Sequence, residues 1–277
     1  MGQLLNPTPL KRQILENLAL FEVLTARDLS QLIYGDTEHH HITTVNGSLE
    51  SLDKQNRLIN RIFFRPENYM GRGNLPNASG LSDKGVQFAE EEWPATYPKE
   101  FSPTHSPHTI EHDLRRARTH ITLHALAQEK DWQLGWKKGD AHGLKPDDIF
   151  EITNGKTAHF FLEEEYKRKD FDALYTKFKP YVDLHGTSKM KEDWGFRYYN
   201  VIVPMRDQNA VQNVIAHFRG ECNCVDRKLK KMHGSARYKL ATDILAFTTH
   251  ADIIERPLDK IFHTPSGKTL SLLEIVR

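Results

Sequence analysis

Apolar residues recur at helical spacing in the N-terminal part of the chain and at strand spacing in its middle. Leu10, Ile14, Leu15, Leu18 and Phe21 fall on one face of a helix. Thr25, followed three residues later by Asp28, sets an N-cap for a short helix that runs to Tyr34, where Gly35 stops it. A third helix, from about Glu38 to Asn56, buries Ile42, Val45, Leu49 and Leu52 and exposes Thr43, Thr44, Asn46 and Ser48. Leu58 to Pro66 alternates like a strand, Met70 to Gly80 makes a glycine-rich loop, and Leu81-Ser82-Asp83-Lys84-Gly85 opens a further helix. Three short helices and a two-stranded wing describe a winged helix-turn-helix domain over 1–98.

Pro94, Pro98, Pro103 and Pro107 give the following stretch an extended character, with a linker at 99–108. A long helix then runs from about Ser106 or Thr109 to Lys130, with Ile110, Leu114, Ala117, Ile121, Leu123 and Leu126 inward and Arg115, Arg116 and Arg118 exposed. Lys145 to Ile152 and His159 to Lys167 read as two strands turned by Asn154-Gly155, a strong hairpin dipeptide. A helix over 171–185, a strand over 197–204, a helix over 210–219 and a strand within 241–250 complete the pattern. The expected fold is mixed α+β: the winged helix, then a second domain over 109–277 with a mixed sheet flanked by helices.

The hairpin carries the chemistry. Asp147 and Asp148 open its first strand, and Glu163, Glu165 and Lys167 form one polar row on the second because side chains two apart share a face. An aspartate and two glutamates suit a hard divalent cation, Mg or Mn, with Lys167 placing a water or a scissile phosphate. The bland alternative is a solvated strand end whose charges pair with one another. A strict two-residue Asn154-Gly155 loop puts Asp148 on the face of the glutamates; a bulge or a three-residue loop puts Asp147 there. Both aspartates stay open. Glu111, at the start of the long helix, is a further metal candidate, set against a plain role in complementing the helix dipole.

Composition narrows the partners. Lys+Arg 38 against Asp+Glu 37 gives a net charge of +1, so a nucleic-acid surface has to come from local segregation. Arg57, Arg61 and Arg65 on the wing, Arg115 and Arg116 on the long helix, and Lys228, Lys230 and Lys231 further on are the basic candidates for phosphate contact. Thr43, Thr44, Asn46 and Ser48 face base edges or phosphates in this reading, while contact with protein is the competing use of the same module. A mean hydropathy of −0.61 and the lack of a long apolar run predict no membrane span. The N-terminus has no signal-peptide pattern, and Cys222 and Cys224 are too close for an easy disulfide, so the cytoplasm is the expected setting. No phosphate-binding loop of NTPase motors occurs.

With Pro146-Asp147 read as the "PD" and Glu165-Tyr166-Lys167 as the "E-x-K", the hairpin resembles the PD-(D/E)XK nuclease superfamily. Nearly the whole chain is similar to the replication-relaxation family of plasmid and mobile-element proteins and to the related MobC-type mobilisation relaxases. The shared signals are Leu81 to Gly85, His112-Asp113-Leu114, Lys145-Pro146-Asp147, Phe160-Phe161-Leu162-Glu163-x-Glu165, a lysine-tyrosine helix at Lys177 to Tyr181, and Phe247-Thr248-Thr249. Each is short. Family proteins often carry an aspartate where Glu165 stands and no lysine two residues on, and the match favours Asp147 over Asp148.

The resemblance implies a restriction-endonuclease-like second domain and a metal-dependent enzyme that nicks one DNA strand at an origin, with accessory mobilisation or coupling proteins as further partners. A relaxase that rejoins its strand would use a tyrosine instead, and Tyr166, Tyr175, Tyr181, Tyr198 and Tyr199 are all available. Two rivals are a non-catalytic origin-binding or regulatory protein that keeps the fold, and a transposition or repair endonuclease.

Overall fold

The computed structural model describes residues 7–65, 77–93, 99–102, 104–137, 143–165, 171–219 and 242–276. The chain divides into two compact units, Met1–Ile121 and Thr122–Arg277.

In the first unit, α1 (Pro9–Phe21), α2 (Ala26–Tyr34) and α3 (His39–Ser51) bury Ile14, Leu15, Leu18, Leu29, Val45 and Leu49 in one core. The expected N-cap is a full capping box. Asp28 N–H donates to Thr25 Oγ1 at 3.2 Å, and Thr25 N–H donates to Asp28 Oδ2 at 3.0 Å. Gly35 ends α2 in the left-handed region, at φ 78°. The third helix widens before its expected end: α3 passes into a π turn over Leu52–Asn56, which closes on a left-handed Arg57.

Antiparallel β1 (Ile59–Phe63) and β2 (Asn77–Leu81) follow, then α4 (Asp83–Glu92). The run Leu81 to Gly85 is the joint between them. Ser82 caps α4 by accepting from Gly85 N–H at 3.1 Å, while its hydroxyl donates to the Arg57 carbonyl at 2.7 Å. Lys84 donates to the Asn56 carbonyl at 3.2 Å. A Cβ on Gly85 would lie 1.9 Å from the Leu58 oxygen, so the backbones approach as closely as only glycine permits. Part of the expected linker is docked here. Phe101 is buried, its N–H donates to Leu81 O at 2.8 Å, and its carbonyl accepts from Asn60.

The long helix α5 (Pro107–Lys130) contains the boundary between the units. Ile110, Leu114 and Ala117 pack in the first, and Leu123 and Leu126 in the second.

The second unit is a seven-stranded mixed sheet flanked by helices, as the hydrophobic pattern predicts. Its strands are β3 (Gln133–Lys137), β4 (Asp148–Asn154), β5 (Lys156–Leu162), β6 (Asn200–Met205), β7 (Leu245–Thr249), β8 (Phe262–His263) and β9 (Thr269–Leu270), in that spatial order. The pairs β5–β6 and β6–β7 are parallel, and the rest antiparallel. Parallel pairing needs a long crossover, which α6 (Phe171–Leu184) and α7 (Ser188–Trp194) provide before β6, and α8 (Gln208–Arg219) before β7. Those three helices cover one face of the sheet, over Ile149, Phe161, Val201, Val203 and Phe247. The end of α5 and α9 (His250–Glu255) cover the other, over Phe150, Ile152, Phe160, Leu162 and Ile202. Both faces of β5 are therefore buried, which explains its unbroken apolar run Phe160-Phe161-Leu162. A short α10 (Leu272–Val276) follows β9.

Candidate active site

The β4–β5 register settles which aspartate lies with the glutamates. Asp148 pairs with Leu162, Thr153 with Thr157 and Asn154 with Lys156 around a left-handed Gly155 at φ 72°. With only Gly155 between the strands, the pairing is offset by one residue from that of a strict two-residue Asn154-Gly155 loop. The shift sets Asp147 opposite Glu163, and Asp147 N–H donates to the Leu162 carbonyl at 3.1 Å. Asp147 then shares the face of Ile149, Phe161, Glu163 and Glu165, while Asp148 takes the face of Phe150 and Leu162. Glu164 N–H donates to Asp147 Oδ2 at 2.7 Å and anchors the carboxylate to the neighbouring strand.

Beyond Leu162 the second strand continues alongside β6. Glu163 N–H donates to Ile202 O at 3.0 Å, and Glu165 N–H to Pro204 O at 2.9 Å. Parallel pairing of this kind fixes both side chains on the α6 face. They are not a solvated strand end, since the side chains of Glu163 and Glu165 are each 1% exposed.

Burying carboxylates this deeply requires partners, and α6 supplies two from successive turns. The Lys177 ammonium pairs with Glu163 Oε2 and with Glu165 Oε1, the latter at 2.5 Å. The Tyr181 hydroxyl donates to Glu163 Oε1. The Glu163 carboxyl is pushed up to about 7: burial raises it most, Lys177 works against that, and Asp147 adds to the rise. Burial opposes the Lys177 charge, but Glu163, Glu165 and Asp147 outweigh it and raise the ammonium above the ordinary lysine range. Burial, then the Glu163 charge, raises the Tyr181 phenol as well, so it serves as a donor.

A family model described as replication-relaxation matches residues 15–197, which include most of the first unit, the hairpin and the Lys177–Tyr181 helix. The chain belongs to the replication-relaxation family. No curated protein and no solved structure matches it. The family ties the chain to replication and relaxation, and through them to DNA. Within this family member, three of the shared sequence signals converge on one place: Pro146-Asp147, Glu163-x-Glu165 and Lys177 to Tyr181.

The lysine at that place is not the one that sequence reasoning singles out. Lys167 lies outside the described residues, and so do Tyr166, Lys228, Lys230, Lys231, Cys222 and Cys224. In the sequence Lys177 figures only as part of the lysine-tyrosine helix. The cue for its role was the four-residue spacing to Tyr181, which puts both on one face of a helix.

The remaining candidates belong to the first unit. Glu111 is buried there and pairs with Arg115 at 3.4 Å. Arg115 and Arg116 do not line an exposed face, contrary to the helical pattern: Arg115 is 7% exposed, and Arg116 bonds Glu22 at 2.9 Å. The acid beside Arg115 is one turn back on the same helix and that beside Arg116 follows α1, while Asp28 of α2 pairs with Arg118 at 3.0 Å. Thr43 and Thr44 are exposed on α3, with their hydroxyls bonded back to the His39 and His40 carbonyls at 2.8 and 2.9 Å. Asn46 accepts from Arg61 at 3.2 Å, which ties α3 to β1. Ser48 is half-buried, and Arg57 and Arg65 are exposed.

Among the tyrosines, Tyr181 spends its hydroxyl on Glu163 and Tyr199 donates to the Tyr181 carbonyl at 2.5 Å. Tyr198 is exposed but precedes β6, at the opposite end of that strand from the residues beside Glu163 and Glu165. Tyr175 is half-buried on α6.

The donor set is of the kind a hard cation takes, since Asp147, Glu163 and Glu165 offer oxygen alone. A positive group, the Lys177 ammonium, already sits on the two glutamates. Among the described residues no three His, Cys, Asp or Glu side chains are arranged to hold a metal ion as they stand. Among them, too, no helix is long and apolar enough to cross a membrane.

Proposed function

We propose that this chain nicks DNA at the origin of a mobilisable plasmid or related element, using the acidic centre of its second unit for phosphodiester cleavage. The observation that carries this reading is the convergence of Asp147, Glu163 and Glu165 on one sheet face with a lysine from α6 between the glutamates. Asp147, Glu163 and Glu165 are the residues that would hold Mg²⁺ or Mn²⁺. The cation would supply the Lewis acidity that draws charge off the scissile phosphate.

The chain's own groups do the rest. Tyr181 keeps Glu163 Oε1 fixed, so the carboxylate is oriented before any substrate arrives. Lys177 carries its charge at any physiological pH and can offset the developing charge on the phosphate. Because Tyr181 and Tyr199 are buried and engaged, hydrolysis by water is favoured over a covalent tyrosine link from either. We read the three helices and ribbon of the first unit as a winged helix, in which Thr43, Thr44 and Ser48 on α3 and Arg57 and Arg65 near β1 approach DNA.

A second reading has its own support. A carboxylate pair satisfied by Lys177 and Tyr181 is also what a purely structural ion cluster looks like, and it fits an origin-binding protein without cleavage. Supercoiled plasmid carrying the origin, incubated with the protein and Mg²⁺ or Mn²⁺, separates the two. Nicked circles from the wild type but not from a Glu163→Ala/Glu165→Ala variant support the enzyme. Origin binding by both proteins with no nicking by either supports the rival.

A further inference from the structure

Glu163 is held at both oxygens, Oε1 by the Tyr181 hydroxyl and Oε2 by the Lys177 ammonium. The same ammonium reaches Glu165 Oε1 at 2.5 Å. A divalent ion entering between the glutamates therefore meets two oxygens already taken by a cation. Lys177 also has a way out. Its side chain is 26% exposed, while those of the two glutamates are 1%, and its four-carbon stem lets the ammonium move without displacing α6.

We propose that Lys177 is a displaceable counter-cation: it closes the acidic centre in the metal-free protein, and a divalent ion enters by taking Glu163 Oε2 and Glu165 Oε1 from it. This rests on the metal-assisted reading above and adds an order of events to it. In the empty protein the ammonium is needed, because two adjacent buried carboxylates without a positive partner repel each other and lose hydration. A doubly charged ion replaces it with a larger favourable interaction at the same oxygens. The released ammonium stays tethered beside the centre and becomes free to meet a phosphate only once the ion is in place. Ion occupancy and lysine availability are thereby coupled: the acidic pair always holds one of the two cations, and Lys177 is free only while the ion is bound.

Two measurements on the full chain test this. Free Mn²⁺ is titrated by electron paramagnetic resonance against the wild type, Lys177→Met and Glu163→Gln/Glu165→Gln at one pH. Removing the competitor is expected to tighten Mn²⁺ binding by about tenfold or more, within the usual range for linked sites. Equal or weaker binding by Lys177→Met than by the wild type overturns the displacement while leaving the metal-assisted reading standing. Absence of Mn²⁺ binding by wild type and Lys177→Met alike overturns both. Should Lys177→Met fail to fold, the wild type alone decides. The rate at which an amine-acylating reagent modifies Lys177, read by peptide mapping, is expected to rise severalfold when Mg²⁺ is added. An unchanged rate at a Mg²⁺ concentration that saturates the protein overturns the proposal.

Discussion

Tyr181 and Gly85 show how much can depend on one atom. The Tyr181 hydroxyl is the sole difference between that residue and phenylalanine, and it is spent on a buried carboxylate. Tyr181→Phe is expected to lower unfolding free energy by about 1.5–3 kcal/mol, the usual worth of a hydrogen bond to a charged group. Urea denaturation measures it, and an unchanged midpoint would show that the bond contributes nothing. At Gly85, an added methyl would meet the Leu58 carbonyl at 1.9 Å, and backbone cannot swing aside as a side chain can. Gly85→Ala is expected to cost about 1–3 kcal/mol or more through overpacking. A thermal melt within a degree of the wild type would contradict it. The glycine could be seen in the sequence as part of a recurring motif; the close approach that demands it could not, because Leu58 is brought there by the ribbon.

Among the elements, the β4–β5 hairpin decides the composition of the site. Side chains alternate along a strand, so a one-residue change in pairing exchanges Asp147 for Asp148 on the face of the glutamates. Asn154-Gly155 announces a turn in the sequence but not its length. On the proposed function, Asp147→Asn is expected to abolish plasmid nicking, and Asp148→Asn to leave most of it. The reverse result would mean that the register has been misassigned to function. Long amphipathic elements were legible: α1, α2, α5, α6 and β6 lie within a few residues of their expected bounds. The edge strand β3 was not, because Gly135 interrupts its five residues and only pairing with β4 makes it a strand. The two-residue β8 and β9 carry no periodicity that a sequence could display. Helix α5 was legible in extent but not in its faces, since Arg115 is buried beside Glu111 one turn back and Arg116 turns to Glu22, far away in sequence.

For the molecule as a whole, the acidic centre leaves a signature in the dependence of stability on pH. The Glu163 carboxyl ordinarily titrates at 4.5 and is pushed up to about 7 in the fold. The folded state therefore holds this proton more tightly than the unfolded one. Its contribution to stability is complete below pH 4.5 and is lost as pH rises through about 7. Glu163→Gln cannot titrate, so the stability of the wild type relative to this variant is expected to fall across that window. Denaturant unfolding at a series of pH values measures it, and a constant difference would show that Glu163 titrates normally. A net charge of +1 predicts none of this, because the chain's charges act locally and in pairs.

Residue types and their short-range spacing were enough to predict the helices of the first unit, the acidic hairpin and the class of chemistry to which an Asp-and-two-Glu cluster is suited. These follow from periodicity and from the limited repertoire of oxygen ligands, which are local properties. Two choices lay beyond them. Asp147 rather than Asp148 faces the glutamates because the turn offsets the pairing by one residue. Lys177 meets both of them because the crossover through α6 returns the chain over the end of β5. Both depend on how separate segments meet in space, and that is settled only when the sheet and its covering helices are packed together.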